Sequence, residues 1–301
     1  MTPSLFEQLK IAGKLPSARG VALKVSRLCQ SETVPLAELA RIIQGDPALA
    51  GKIIKLANAN NPRKFRPIGS INIDTLLLVG VHSIRQVVFG FALVGAFRKG
   101  ESRQFDFDRY WSLSVAMGSV AQTVASLTPL APAGELFICG LLSRVGTLCL
   151  ATGCPTEYDA LLLECAQSGT PLLEAEQRAF GSDHRALGQA LLADWGIPKL
   201  FHDPIYDHEQ ALSQRFEAGS RADKLATTFH LAWCLAQYFV GSETPSAMDA
   251  QHIQACVDKL ELGAEQCAPL VERSLQEWQT WGKLLEVNTH TPPPLFAADA
   301  P

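Results

Sequence analysis

The sequence predicts an all-α protein on three observations. Apolar residues recur every three or four positions along most of the chain, as in Leu36, Leu39, Ile42 and Ile43, which is the period of an amphipathic helix. No stretch of strand length alternates convincingly between apolar and polar residues. Helix-starting and helix-ending residues punctuate the periodic runs, among them Ser17, Asp46-Pro47, Ser70 and Gly196-Ile197-Pro198.

Taken in order, residues 3–13 carry Leu5, Phe6 and Leu9 on one face, and Leu15-Pro16-Ser17 breaks the run. Ser17 is a cap for a helix over residues 18–29, and Pro35 opens the next. Asp46 as a cap with Pro47 at the first helical position predicts a helix through residue 59, ended by Asn60-Asn61-Pro62. A basic loop follows, then a helix capped by Ser70 and running to Leu78, with Gly80 as its end. Residues 82–97 read as a long apolar-faced helix. Lys99-Gly100-Glu101-Ser102 is the best boundary between two halves.

In the second half, residues 110–127 form a helix rich in small residues. Residues 135–151 form an almost wholly apolar helical run, interrupted by the polar pair Ser143-Arg144. So apolar a segment, broken by an arginine, belongs at the centre of a helical domain rather than in a membrane. Helices are expected at 156–168, 171–180, 183–195 (capped by Gly181-Ser182), 199–209, 220–240, 248–261 and 264–286. The division expected is 1–98 as an N-terminal helical subdomain, 99–240 as a second, 241–288 as a C-terminal helical extension and 289–301 as a disordered tail, with Pro292–Pro294 of polyproline II character.

The totals exclude several classes. With 301 residues, 47% hydrophobic and 19% charged, the chain can bury a substantial core. A net charge of −4 gives no strong case for nucleic-acid binding; Arg63, Lys64 and Arg66 are the compact candidate for an anion-contacting patch. Eight cysteines without a Cys-x-x-Cys pair read as reduced thiols rather than a disulfide framework or zinc site. The expected setting is cytoplasmic, with no membrane association.

A set of motifs then supports a resemblance. It comprises Lys14-Leu15-Pro16-Ser17, Val21-Ala22-Leu23, Asp46-Pro47-Ala48-Leu49, Lys55-Leu56-Ala57-Asn58, Ile68-Gly69-Ser70-Ile71 and Leu78-Val79-Gly80. The second half adds Tyr110-Trp111, Gly140-Leu141-Leu142, Val145-Gly146, Phe180-Gly181-Ser182-Asp183-His184 and Trp195-Gly196-Ile197-Pro198. Residues from about 14 to 210 resemble the HDOD family, helical signalling domains of bacteria related to the HD and HD-GYP metal-dependent phosphohydrolases. The resemblance implies an HDOD-like helical fold with an HD-related second half. It also implies where a catalytic relative would hold its metals, by His and Asp from several helices.

Those positions have changed here. Leu113 stands where a first histidine is implied, and the His-Asp doublet has become Ser143-Arg144. His184 remains, and a later His-His doublet reads His208-Glu209. Leu113 offers no ligand atom and Arg144 brings a permanent positive charge. Leu113, Ser143, Arg144, His184 and His208 are therefore expected to be a vestigial pocket, with no catalytic residue, metal or cofactor. The expected function is a non-catalytic regulatory module contacting another signalling protein, with self-association open and Trp278 and Trp281 as the candidate surface. Two alternatives stand beside it. One is a nucleotide or cyclic-dinucleotide sensor in which Arg144 meets phosphate; the other is a metal-dependent phosphohydrolase.

Overall fold

The computed structural model describes residues 4–16, 35–45, 47–59, 67–210, 215–242 and 246–295, and among them there are helices and no strand. The chain divides into two compact units, residues 17–98 and residues 1–16 together with 99–301. The basic patch Arg63, Lys64 and Arg66, the helix expected over 18–29 and the cap Asp46 lie outside the described residues.

Helix α1 (Leu5–Ile11) begins at Ser4, whose hydroxyl accepts from the Glu7 amide while the Glu7 carboxylate accepts from the Ser4 amide. It belongs to the larger unit rather than to an N-terminal subdomain. Leu9 is buried beside Gly153, and Lys10 pairs with Asp194. The boundary expected at residue 1 therefore moves to residue 17.

The unit of residues 17–98 contains α2 (Leu36–Gln44), α3 (Pro47–Ala59), α4 (Ile73–Val79) and α5 (Val81–Ala96). Leu39, Ile43, Leu49, Ile53, Leu76, Ile84 and Val87 form its core. Asn58 fixes the chain after α3: its carbonyl oxygen accepts from the Ile68 amide at 2.7 Å and its amide donates to the Ile68 carbonyl at 2.9 Å. The α4 cap is Asn72, accepting from the Thr75 amide at 2.9 Å, and not Ser70. Ser70 takes part through its carbonyl, which accepts from the Thr75 hydroxyl.

The larger unit is built around α6 (Phe107–Leu127), buried on nearly every side. Two of its buried hydroxyls bond back along the helix, Ser119 to the Val115 carbonyl and Thr123 to the Ser119 carbonyl, both at 2.9 Å, so these two need no partner elsewhere. The apolar run after it is two helices, α7 (Ala133–Leu142) and α8 (Val145–Gly153). Ser143 Oγ donates to the Cys139 carbonyl at 2.9 Å, and Arg144 leaves helical geometry with φ −105° and ψ 17°. By length and composition Ala133–Gly153 could cross a membrane, but 89% of its most apolar stretch is buried inside the protein. Gly140 lets α7 lie directly on α6: a Cβ there would fall 2.5 Å from the Met117 carbonyl oxygen.

Next come α9 (Pro155–Ser168), α10 (Leu172–Phe180), α11 (His184–Asp194), α12 (Lys199–Tyr206) and α13 (Arg221–Val240). The α11 cap is Asp183 itself, accepting from the Ala186 amide at 2.8 Å, one residue beyond the expected pair. Helix α14 (Ala247–Lys259), a short 3-10 turn and α15 (Cys267–Leu285) close the unit.

Two expectations about the C-terminal region change. Trp278 and Trp281 are not an interaction surface: both are buried against their own chain. Trp278 Nε1 donates to the Ser112 carbonyl at 3.1 Å, and its ring stacks on Phe239; Trp281 Nε1 donates to Gln122, and its ring lies 4.3 Å from that of Phe137. Nor does the chain lose its packing at residue 289. Ser112 Oγ donates to the Asn288 carbonyl at 2.7 Å, Tyr238 donates to the Pro293 carbonyl at 2.5 Å, and Leu295 is buried.

Candidate functional site

The crossing of α8 and α11 sets the site. At Gly146 a Cβ would sit 1.8 Å from the His184 carbonyl oxygen and 2.6 Å from the Gly188 amide, so the two backbones touch where α11 begins. This contact places His184, the first residue of α11, inside the unit with 2% exposure. Glu176 of α10 holds it from one side: one carboxylate oxygen accepts from both His184 Nδ1 (2.6 Å) and the His184 amide (2.8 Å), and the other accepts from Tyr158 at 3.1 Å. Glu209, in the turn after α12, lies on the other side with its Oε1 3.2 Å from His184 Nε2.

The same Glu209 oxygen lies 3.6 Å from His208 Nε2 and 3.8 Å from Arg144 Nε. The Arg144 guanidinium rests over the Trp233 ring at 4.7 Å, a cation–π contact. His208 Nδ1 donates to the Ile205 carbonyl at 2.7 Å, which leaves Nε2 as the ring's lone-pair nitrogen. Thus Arg144, His184 and His208 of the expected pocket do converge, on Glu209. Ser143 turns back to its own helix, and Leu113 is buried in α6 as an apolar core residue. The buried Asp223 on α13 accepts from Lys259 at 2.7 Å and from the Gly219 amide at 3.0 Å, so it is engaged elsewhere.

Electrostatics follow from this packing. Burial opposes charge on His184, but the flanking carboxylates of Glu176 and Glu209 outweigh it and raise the imidazole to about 9. Burial likewise opposes the charged form of Glu209; the hydrogen bond and charge of His184, with the Arg144 charge behind them, prevail and hold its carboxyl well below the usual range. His208, fully buried, is pushed down to about 4 and is neutral. Near neutral pH the cluster therefore sets a charged His184 and the Arg144 guanidinium against the ionised Glu209.

Glu176 escaped the sequence reading because one glutamate on a mixed helix carries no local mark. A second cluster escaped it too. His230 and Cys234 lie one turn apart on α13, and α14 brings His252 to them, with the three ligand-type atoms within 4.8 Å of one another. The His230 and His252 Nε2 atoms are 2.7 Å apart, and Cys234 Sγ is 3.6 Å from His230 Nε2. Burial pushes the Cys234 thiol up to about 11 and lowers His230. The i, i+4 spacing of His230 and Cys234 was visible in the sequence; only the fold could add His252.

The model of the HDOD domain matches residues 15–211. Among solved structures, the MmoQ response regulator of Methylococcus capsulatus strain Bath is 32% identical over 86% of this chain and 98% of its own, with a TM-score of 0.50. An HDOD domain protein from Geobacter sulfurreducens aligns over 93% of this chain and 97% of its own at 19% identity and a TM-score of 0.71. A protein of Shewanella amazonensis SB2B, provisionally named a phosphohydrolase, covers 94% and 98% at 19% identity and a TM-score of 0.72; at this identity these last two show the fold alone. No curated protein matches. With a domain match over more than half its length and a response regulator at 32% identity, the chain belongs to the HDOD family.

Proposed function

We propose that the protein is a non-catalytic signal-transduction module that works in the cytoplasm by contacting another signalling protein. The observation that carries this reading is the charge network around Glu209. A dinuclear HD-type centre needs several neutral imidazoles and free carboxylates. Here the central carboxylate already faces the His184 ring and the Arg144 guanidinium, and Leu113 and Ser143 supply no donor to the site. The donor set does not fit a pair of divalent ions, because two positive groups occupy their electrostatic place. The regulatory half of the reading leans on family membership and on the response-regulator name of the 32% identical relative. The cytoplasmic setting leans on the cysteines, seven of which are free among the described residues.

A nucleotide sensor is the weaker reading, since an anion would have to draw Arg144 away from Glu209 and Trp233. The test is turnover. The full-length protein, supplied with manganese or iron, is expected to leave nucleotides and cyclic dinucleotides intact. Hydrolysis proportional to protein and abolished in Glu209→Gln would overturn the non-catalytic reading. A two-hybrid screen against signalling proteins encoded beside its gene tests the other half, and repeated failure to find a partner counts against it.

A further inference from the structure

We propose that His230, Cys234 and His252 form a binding site for one transition-metal ion of the zinc class, separate from the HD-type position and joining α13 to α14. Three features point to a ligand site rather than to chance packing. The first is orientation. His230 Nδ1 donates to the His208 carbonyl at 2.9 Å, which leaves the lone pair on Nε2, the nitrogen that faces Cys234 and His252. Metal-binding histidines are oriented in this way by a hydrogen bond from their other nitrogen.

The second feature is spacing. With Zn–N near 2.0–2.1 Å and Zn–S near 2.3 Å, tetrahedral ligands stand about 3.4–3.6 Å apart. His230 Nε2 and Cys234 Sγ are already 3.6 Å apart. The two imidazole nitrogens, 2.7 Å apart and sharing a proton, would separate by roughly 0.7 Å to reach that range. His252 is only partly buried and is carried by α14 alone, so it is the ring that can move. On binding, the Cys234 thiol releases its proton to solvent through the cleft, and the proton between the two Nε2 atoms moves away by a shift of His252 to its Nδ1 tautomer.

The third feature is access. Cys234 and His252 line a cleft of about 590 Å³ together with Asp249, Trp233 and Tyr238. Asp249 is held in the α14 cap, accepting from the Ser246 amide and hydroxyl at 2.8 Å. The three protein ligands thus leave a fourth position facing the cleft for water or an incoming ligand. Imidazole and thiolate together select zinc and its neighbours over magnesium or calcium.

Cobalt(II) is the probe. The full-length protein, stripped with chelator under reducing conditions, is titrated with cobalt(II) and followed by absorbance. One equivalent is expected to bind and give thiolate-to-cobalt charge transfer in the near ultraviolet. Cys234→Ser should abolish that absorption, and His252→Ala should weaken binding by more than the ~10–100-fold that loss of a merely orienting partner costs. Circular dichroism confirms that both variants are folded; if Cys234→Ser is not, His252→Ala decides alone. The site is overturned if saturating cobalt gives no charge transfer, if the absorption persists in Cys234→Ser, or if His252→Ala binds as tightly as the parent.

Discussion

His184 and His230 are both buried imidazoles on helices of the same unit, yet their surroundings prepare them for opposite chemistry. His184 is flanked by two carboxylates and is held in its charged form, its Nδ1 hydrogen-bonded to Glu176 and its Nε2 3.2 Å from Glu209. His230 faces a carbonyl, a second imidazole and a thiol, and burial keeps it neutral with a lone pair in the interior. A cationic ring cannot ligate a metal, whereas a neutral ring can. The difference lies in whether a carboxylate comes within reach; the histidine itself is the same in both places. Between the two sites, Trp233 carries Arg144 on its face and meets His208 edge-on, so one aromatic ring borders the charge network and also lines the cleft.

The largest expected effect breaks the charged side of this contrast. Glu176→Ala leaves His184 with one fewer anion and strands the Tyr158 hydroxyl. Loss of one member of a buried ion pair costs about 3–5 kcal/mol, to be read by urea unfolding; a change below ~1 kcal/mol would show that the network is not holding the fold together. Next is Gly146→Ala, which leaves every charge in place and pushes α8 off α11. Overpacking of this kind costs about 1–3 kcal/mol, and the backbone clash at 1.8 Å puts it at the upper end. An unchanged melting temperature would mean that the crossing is looser than the structure shows.

pH sharpens the comparison further. The folded His184 titrates at about 9 against 6.5 in the unfolded chain. Its stabilisation is therefore complete below about 6.5 and is lost as pH rises through about 9, an alkaline limb on the order of 3 kcal/mol. His208 has the opposite sign: buried neutral at about 4, it costs stability as pH falls from about 6.5 toward 4, where the unfolded form takes up the proton. Glu209, also depressed, loses its contribution at still lower pH. Stability should be greatest near pH 6–7 by this reckoning, and His184→Gln should flatten the alkaline limb alone; an alkaline limb that survives in His184→Gln assigns it to another group. The smallest effect belongs to the neutral side. Without metal, His252→Ala removes one hydrogen bond between two imidazoles, about 1 kcal/mol, and a loss comparable to that of Glu176→Ala would mean the two clusters are not different in kind.

How much of this was legible depended on whether the signal was local. The helices of both units could be read from apolar spacing, and the HDOD family from motifs spread over both halves. Helix starts were read to within a few residues, because Ser70 and Asn72, or Ser182 and Asp183, are competing caps close together and only the fold selects one. The break inside 135–151 was visible as a polar pair, but its meaning as a helix end was not, since Ser143 satisfies itself on its own helix. Tryptophans at helical spacing in α15 favour a core face over an interface without deciding between them until Ser112 and Gln122 are placed beside them. Glu176, Glu209 and His252 meet the residues they serve only through tertiary structure, so no spacing rule could pair them.

The burial of α6 on nearly every side also dictates an order of assembly. Residues 17–98 have their own core and can compact as soon as they emerge from the ribosome. The face of α6 carrying Ser112 cannot be covered until Trp278 and Asn288, more than 160 residues later, have been synthesised. Contacts of such long range form slowly. The larger unit must therefore pass through synthesis with that face of its central helix uncovered, and a chaperone that binds apolar helices would find its longest-lived target there.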